Sequence, residues 1–303
     1  MVEPNPLGTS LIATAKIQYP SLILCQAVHN PVYIRSGSTY SANHHLFNRE
    51  KFLHSNKSQI DRLSDMLQMS KCAVIFTGAG ISTESGIPDF RSPGGLWTEN
   101  KPIPFQEFIQ SKEARKESWK RKFAVDSVMA NASPNAGHLA VAKLVDQNKV
   151  HLIITQNVDG LHHLSGVPQS KIVELHGNAT YANCLSCHQH HSLDKIREQF
   201  KLNNEPPTCI SCGGIVKTAT ISFGQPMPER EMKLAEASAK ASDLFIVLGS
   251  SLVVYPAAAL PVFAKTEGAK LVIINREPTE LDQLADLVIH AEIGPTLSAL
   301  PQP

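Results

Sequence analysis

Short runs of Val, Ile and Leu, each ending at once in small or polar residues, constrain this chain more than any other feature. They occupy residues 73–76, 151–154, 244–248, 271–274 and 287–289. A strand with one wet face alternates apolar and polar residues, whereas runs this continuous are buried on both faces. Helix-like segments lie between them, among them "NAGHLAVAKLVDQ" at 135–147 and "REMKLAEASAKAS" at 230–242. Buried strands alternating with helices predict an α/β fold with a parallel, Rossmann-like sheet covered on both sides.

The residues just beyond each run are equally informative. The first exits into Thr77-Gly78-Ala79-Gly80 and the second into Thr155-Gln156-Asn157-Val158-Asp159. The third exits into Gly249-Ser250-Ser251 and the fourth into Asn275-Arg276-Glu277. Open parallel sheets bind ligands beyond the carboxyl ends of their strands. Four such ends bearing Gly, Ser, Asn and acids predict a nucleotide crevice. It departs from the dehydrogenase fingerprint, which requires a third glycine where this chain has Thr83. The acidic ribose ligand expected about twenty residues on is missing too, replaced by the loop "PDFRSPGGLW".

Four of the six cysteines form two C-x-x-C pairs, Cys184/Cys187 and Cys209/Cys212, with 21 residues between them. This spacing is the signature of a tetrahedral zinc site. Paired disulfides would need an oxidising compartment, and nothing else in the chain suggests one. Four thiolates fill the coordination shell and leave no open position for a catalytic water, so the expected metal is one structural Zn2+. A histidine from the "CHQHH" run at 187–191 could compete as a ligand, but the regular spacing favours the four-cysteine set.

The formal net charge of +1 gives no reason to expect direct nucleic-acid binding. No apolar run reaches the roughly eighteen residues that span a bilayer, so no membrane partner is expected. The basic run "KEARKESWKRK" at 112–122 reads as a solvated helix face rather than a docking patch. Residues 1–56 are rich in Ser, Asn and His, with Glu3 the sole acid before Glu50. They read as an amino-terminal extension, disordered or targeting. The expected compartment is the cytoplasm, with the mitochondrion as the alternative. Scarce arginine, only Arg35 and Arg49 in that stretch, weighs against a transit peptide.

In combination, several motifs resemble the sirtuins, NAD-dependent protein lysine deacylases. They are "GAGIS" (78–82), "GIPDFRS" (86–92), "TQNVDGLH" (155–162), "LHGN" (175–178), "GSSLVVYP" (249–256) and "INREPT" (274–279), with the paired C-x-x-C. The resemblance runs over residues 63–297. It implies that NAD is a co-substrate, cleaved at the nicotinamide–ribose bond, and that the partners are acyl-lysine proteins. Gly78, Ala79, Gly80 and Ser82 would approach the cofactor from the first strand. Ile87, Asp89, Phe90 and Arg91 would form the loop over its nicotinamide end, excluding water from the reacting carbon. The less favoured alternative for Asp89 and Arg91 is a local ion pair that holds the loop. Gln156, Asn157 and Asp159 would surround the ribose and nicotinamide, although Asn and Asp are also favoured helix caps. Ser250 and Ser251 after Gly249, and Asn275, Arg276 and Glu277, would hold the rest of NAD. Ile221, Ser222, Phe223 and Gly224 of "ISFGQ" would clamp the acyl-lysine peptide.

The same resemblance makes His176 the general base, with Asn157 and Asp159 beside it as catalytic residues. In the implied reaction the acyl oxygen attacks the anomeric carbon as nicotinamide leaves. His176 then activates the ribose diol, and water releases lysine and O-acyl-ADP-ribose. An imidazole suits proton transfer near neutral pH. His162 and His163 are read as structural, since neighbours on a helix point apart.

Relatives that remove succinyl or malonyl groups carry a Tyr-x-x-Arg pair that "SWKRKFAVDSV" (118–128) lacks, so uncharged acyl groups are expected. Gln225 stands where many relatives have an acid. Transfer of ADP-ribose to protein or water, and a non-catalytic NAD or ADP-ribose sensor, are the alternatives. The expected organisation is a Rossmann-like NAD-binding domain at 57–180, with a helical segment at 96–131. A zinc ribbon comes next at 181–217, and the NAD-binding domain resumes at 218–303.

Overall fold

The computed structural model describes residues 58–89 and 101–301, so the extension at 1–56, Phe90 and Arg91 lie outside the described residues. After helix α1 (Gln59–Met69) come strand β1 (Ala73–Thr77) and a 3-10 turn at Ala79–Ser85. Helices α2 (Phe105–Gln110), α3 (Lys112–Asn131) and α4 (Ala136–Asp146) lead to β2 (Val150–Thr155). A short helix α5 (Leu161–Leu164) precedes β3 (Ile172–Glu174) and β4 (Gly177–Cys184). Next are β5 (His190–His191), α6 (Leu193–Asn203), β6 (Val216–Thr220), α7 (Glu229–Ala241) and β7 (Leu244–Leu248). Helix α8 (Leu260–Thr266), β8 (Lys270–Ile274), β9 (Leu287–Ile289) and α9 (Ile293–Ser298) complete the chain.

Strands β3-β2-β1-β7-β8-β9 form one parallel sheet in that order; the five apolar runs supply β1, β2, β7, β8 and β9, and β3 joins them at the edge. Alternate residues of each strand enter opposite cores. Ile75, Ile153, Ile246 and Val272 pack with Leu63 of α1, Val141 of α4 and Leu297 of α9. Phe76, Ile154, Phe245 and Ile273 pack with Ala235 and Ala239 of α7 and Leu260 of α8. Strand order reverses between β1 and β7, which opens a crevice at their carboxyl ends.

The second sheet is antiparallel, β5-β4-β6, and carries the cysteine pairs. It begins at Gly177 and ends at Thr220, so strand pairing runs past both C-x-x-C pairs into the segments of the crevice. Its own core contains Ala182, Cys184, Ile196, Cys209 and Val216, and is closed by Trp119 of α3. The basic run 112–122 is thus one side of a helix whose other side buries an indole. Ser111 divides the helical segment: it ends α2 and caps α3, its hydroxyl accepting from Ala114 N–H at 3.1 Å.

Candidate active site

Thr77 lies level with Thr155 and Leu248, and Leu248 with Ile274. Gly78, Gln156, Gly249 and Asn275 therefore leave the sheet side by side. The first and third of these ends touch through backbone: Gly78 N–H donates to Leu248 O at 3.0 Å, and Gly80 N–H to Gly249 O at 2.8 Å. A Cβ on Gly80 would fall 2.7 Å from Gly249 Cα, and Gly249 itself has φ 63°. Only glycine allows this approach. Ser250 Oγ accepts from Gln156 Nε2 at 2.8 Å, which joins the β2 and β7 ends across β1.

A cleft of about 970 Å3 opens over these ends. Gly78, Ala79, Gly80, Asp89, Gln156, Asn157 and His176 line it, with Gly249, Ser250, Ser251, Asn275, Arg276 and Glu277. Ile221, Ser222, Phe223 and Gly224 form another wall. The structure thus brings most of the residues singled out by sequence to one cavity. Ser82, Ile87 and Asp159 lie behind its surface. Ile87 is buried with Ala132 and Leu161. Ser82 donates to Asp159 Oδ2 at 2.7 Å, and Asp159 Oδ1 accepts from Leu161 N–H at 2.9 Å, at the start of α5. Asn157 reaches both groups of residues: its Nδ2 donates to Gly78 O at 3.0 Å and to Ser82 Oγ at 3.1 Å.

His176 sits between the two sheets. Its Nδ1 donates to Gln156 O at 3.0 Å, which leaves Nε2 as the proton-accepting nitrogen. Burial pushes its pKa below the usual imidazole range, partly offset by that bond. The ring is neutral at pH 7 and able to take a proton. Its backbone carbonyl accepts from Ile221 N–H at 2.8 Å, so the base and the wall at Ile221–Gly224 share a hydrogen bond. Gly177 makes this possible: φ is 73°, and a side chain there would run into the Ala219 carbonyl oxygen. Phe223 O in turn accepts from Phe105 N–H of α2 at 2.9 Å.

Helix α3 supplies a wall that the motifs did not reveal: Glu117, Ser118, Lys120, Arg121, Ala124 and Val125 all line the cleft. Arg121 is engaged, donating to Glu117 Oε1 at 2.7 Å and to Lys101 O at 2.8 Å. Lys122 points elsewhere and pairs with Asp126. Val253 and Tyr255 also reach the cleft while remaining exposed. Their signal was present in "SLVVYP", two large apolar residues in a polar loop, but nothing local distinguishes such residues from core. At the far end Asn275 Nδ2 donates to Glu277 O at 2.7 Å, and Arg276 lies 3.5 Å from Glu292.

The four cysteine sulfurs lie within 4.8 Å of one another, with Cys184–Cys212 at 3.5 Å and Cys187–Cys209 at 3.6 Å. Tetrahedral zinc with sulfur at about 2.3 Å separates its ligands by about 3.8 Å, so the set fits that metal. Backbone N–H groups of Ser186 and Cys187 point at Cys184 Sγ, at 3.4 and 3.5 Å, and favour the thiolate. No histidine nitrogen joins the group among the described residues, which resolves the competition from "CHQHH".

The Sir2 family model matches residues 78–256. The NAD-dependent protein deacetylase 1 of Bradyrhizobium diazoefficiens is 56% identical over 241 residues, covering 80% of this chain and 94% of the relative. The NAD-dependent protein deacetylase of Rhodopseudomonas palustris is 56% identical over 243 residues, 80% of this chain and 96% of its own. A solved Sir2 structure holding a p53 peptide and NAD+ superposes with a TM-score of 0.71 at 34% identity, covering 79% of this chain and 95% of that one. Cleft, cysteine cluster and likeness converge: this chain belongs to the Sir2 family.

Proposed function

We propose that the protein is an NAD-dependent protein lysine deacetylase that consumes NAD and releases nicotinamide and O-acetyl-ADP-ribose. The observation that carries this reading is the setting of His176. A neutral imidazole with one nitrogen tied to Gln156 O stands where the glycine-lined strand ends meet the Ile221–Gly224 wall. NAD is the substrate held by the first region and acyl-lysine the substrate held by the second. The relatives named as deacetylases, and a Sir2 structure described as bound to acetylated peptide, support both assignments.

In this reading the close-packed Gly78–Gly80 and Gly249 leave room for the cofactor backbone, and Ser250 and Gln156 shape its ribose side. Asn275 and Glu277 take the adenosine end. Asp89 takes the nicotinamide end, where Phe90 and Arg91 continue the same loop in sequence. Asn157 is the link between the cleft floor and the Ser82–Asp159 pair. As nicotinamide leaves, the acyl oxygen bonds to the anomeric carbon, and His176 Nε2 removes a proton from the ribose diol so that its oxygen can attack the acyl carbon. Water completes the release of lysine. One Zn2+ on the four cysteines supplies structure and no chemistry, since the sulfurs complete its shell.

Acetyl-lysine should be the better substrate than succinyl-lysine, because α3 offers no Tyr-x-x-Arg pair, and Arg121, the one guanidinium it brings to the cleft among the described residues, is already paired with Glu117. No nucleic-acid partner is proposed for a chain of net charge +1, and among the described residues no helix is long and apolar enough to cross a membrane. The test is incubation with NAD and acetyl-lysine peptide beside His176→Ala, with products followed by mass spectrometry. Free lysine and acetyl-ADP-ribose should appear and fall by about a hundred- to ten-thousandfold in the variant, the range expected for loss of a general base. Nicotinamide released without deacylation would redirect the assignment to ADP-ribosyl transfer or NAD hydrolysis. Absence of any turnover would favour the sensor.

A further inference from the structure

Behind the cleft floor lie two buried histidines that the reaction does not touch. His138, from α4, and His162, from α5, are 0% and 3% exposed, and their rings meet edge-to-face with centroids 5.2 Å apart. Each has one satisfied nitrogen. His138 Nδ1 accepts from Asn135 N–H at 3.4 Å, which places its proton on Nε2. His162 Nε2 lies 3.0 Å from Thr77 Oγ1. The other two nitrogens, His138 Nε2 and His162 Nδ1, have no hydrogen-bond partner among the described residues. Leaving polar atoms buried and unpaired is costly, so a reason for both histidines is required.

That reason lies in what His162 holds. Thr77 Oγ1 donates to Thr155 Oγ1 at 2.8 Å, and the same Thr155 oxygen accepts from Asn157 N–H at 3.0 Å. With the Thr77 hydrogen directed to Thr155, the Thr77 oxygen is left as the acceptor for His162 Nε2–H. Its Nδ1 is then a bare acceptor beside a ring whose free nitrogen is a donor, so the two orphans are complementary. We infer that His138 and His162 form a neutral pair of fixed tautomers that orients the Thr77–Thr155 hydroxyls and thereby positions Asn157 at the cleft floor. His162 is a positioning residue, acting through Thr77 and Thr155, and His138 selects its tautomer. The inference rests on the proposed role of the cleft and adds to it a determinant of catalytic alignment outside the cleft.

Burial and the neighbouring His138 and His163 hold His162 down to about 3, so it stays neutral throughout the working range. Two-bond proton–nitrogen spectra of protein labelled with 15N-histidine, assigned with His138→Gln and His162→Gln, should show the Nε2–H tautomer at both positions. In His162→Phe, kcat should fall about ten- to a hundredfold, the range expected for a displaced cleft group, with peptide KM within about twofold. His162→Gln, which keeps a donor near the Nε2 position, should stay within about threefold of the parent kcat. An Nδ1–H tautomer at His162, an unchanged kcat in His162→Phe, or a Gln variant as impaired as the Phe variant would overturn the inference. If His162→Phe does not fold by circular dichroism, the Gln variant and the tautomers decide it. A parent protein without turnover would remove the proposed function, while the tautomers would still decide the pair.

Discussion

At the scale of single residues, the least replaceable position is Gly177 rather than a charged group. It turns the chain from β3 into β4 immediately after His176, in a left-handed conformation and against the Ala219 carbonyl. Gly177→Ala should lower the melting temperature, since a left-handed non-glycine residue costs about 1–2 kcal/mol before the clash is counted. Activity should fall further than stability, because the strain is released by moving His176 or Ile221. Thermal melts beside kinetics at a temperature where the variant is folded would check both. The acyl preference also belongs to this scale. Succinyl-lysine should react more slowly than acetyl-lysine in the parent, and Glu117→Gln, which frees Arg121, should narrow the ratio. A succinyl rate equal to the acetyl rate in the parent would refute it. Single residues beside strand ends were legible from sequence because a strand end is a local event. The bond from Ser82 to Asp159 was not legible, since it joins positions 77 apart that only the folded sheet brings together.

At the scale of elements, α3 and the cysteine-bearing sheet form one packing unit. Trp119 is 1% exposed, against Cys184, Ile196, Cys209 and Val216, with Phe123 tilted against it at a ring-centroid distance of 5.5 Å and Phe200 beyond it. The same helix lines the cleft through Lys120, Arg121 and Ala124 on its other side. Removal of zinc should therefore loosen α3 as well as the sheet. In a Trp97→Phe background, which leaves Trp119 as the only indole, chelation should red-shift the emission, and activity should disappear along with it. Retention of both the emission maximum and activity after the metal is stripped would refute a structural role. The four-cysteine spacing made the metal site readable in advance. The packing of α3 on it was not, because its charged face dominates the sequence pattern and a single Trp carries the buried one.

Across the whole molecule, the buried histidines contribute to how the fold responds to acid. His162 is held down to about 3 and His138 is shifted the same way, both by burial, whereas unfolded imidazoles titrate near 6.5. The unfolded chain thus binds protons that the folded chain refuses. Stability is complete above about pH 6.5 and declines as pH falls towards 3, by up to about 1.4 kcal/mol per pH unit for His162. Unfolding free energies from urea titrations at pH 6.5 and 5.0 should differ by up to about 2 kcal/mol from this residue, and His162→Gln should flatten the profile. An unchanged slope in that variant would place the acid sensitivity elsewhere. The sequence by itself determined the parallel sheet, because continuous Val, Ile and Leu runs admit no half-exposed strand. It determined the ligand edge, because each run ends in residues that suit a nucleotide, and the metal, because cysteine spacing is local. Only the tertiary structure decided which residues share the cleft and which stand behind it. That division depends on how strands far apart in the chain align: Thr77, Thr155 and Leu248 end level, so Gln156 faces the cavity while Ser82 and Asp159 close against each other beneath it.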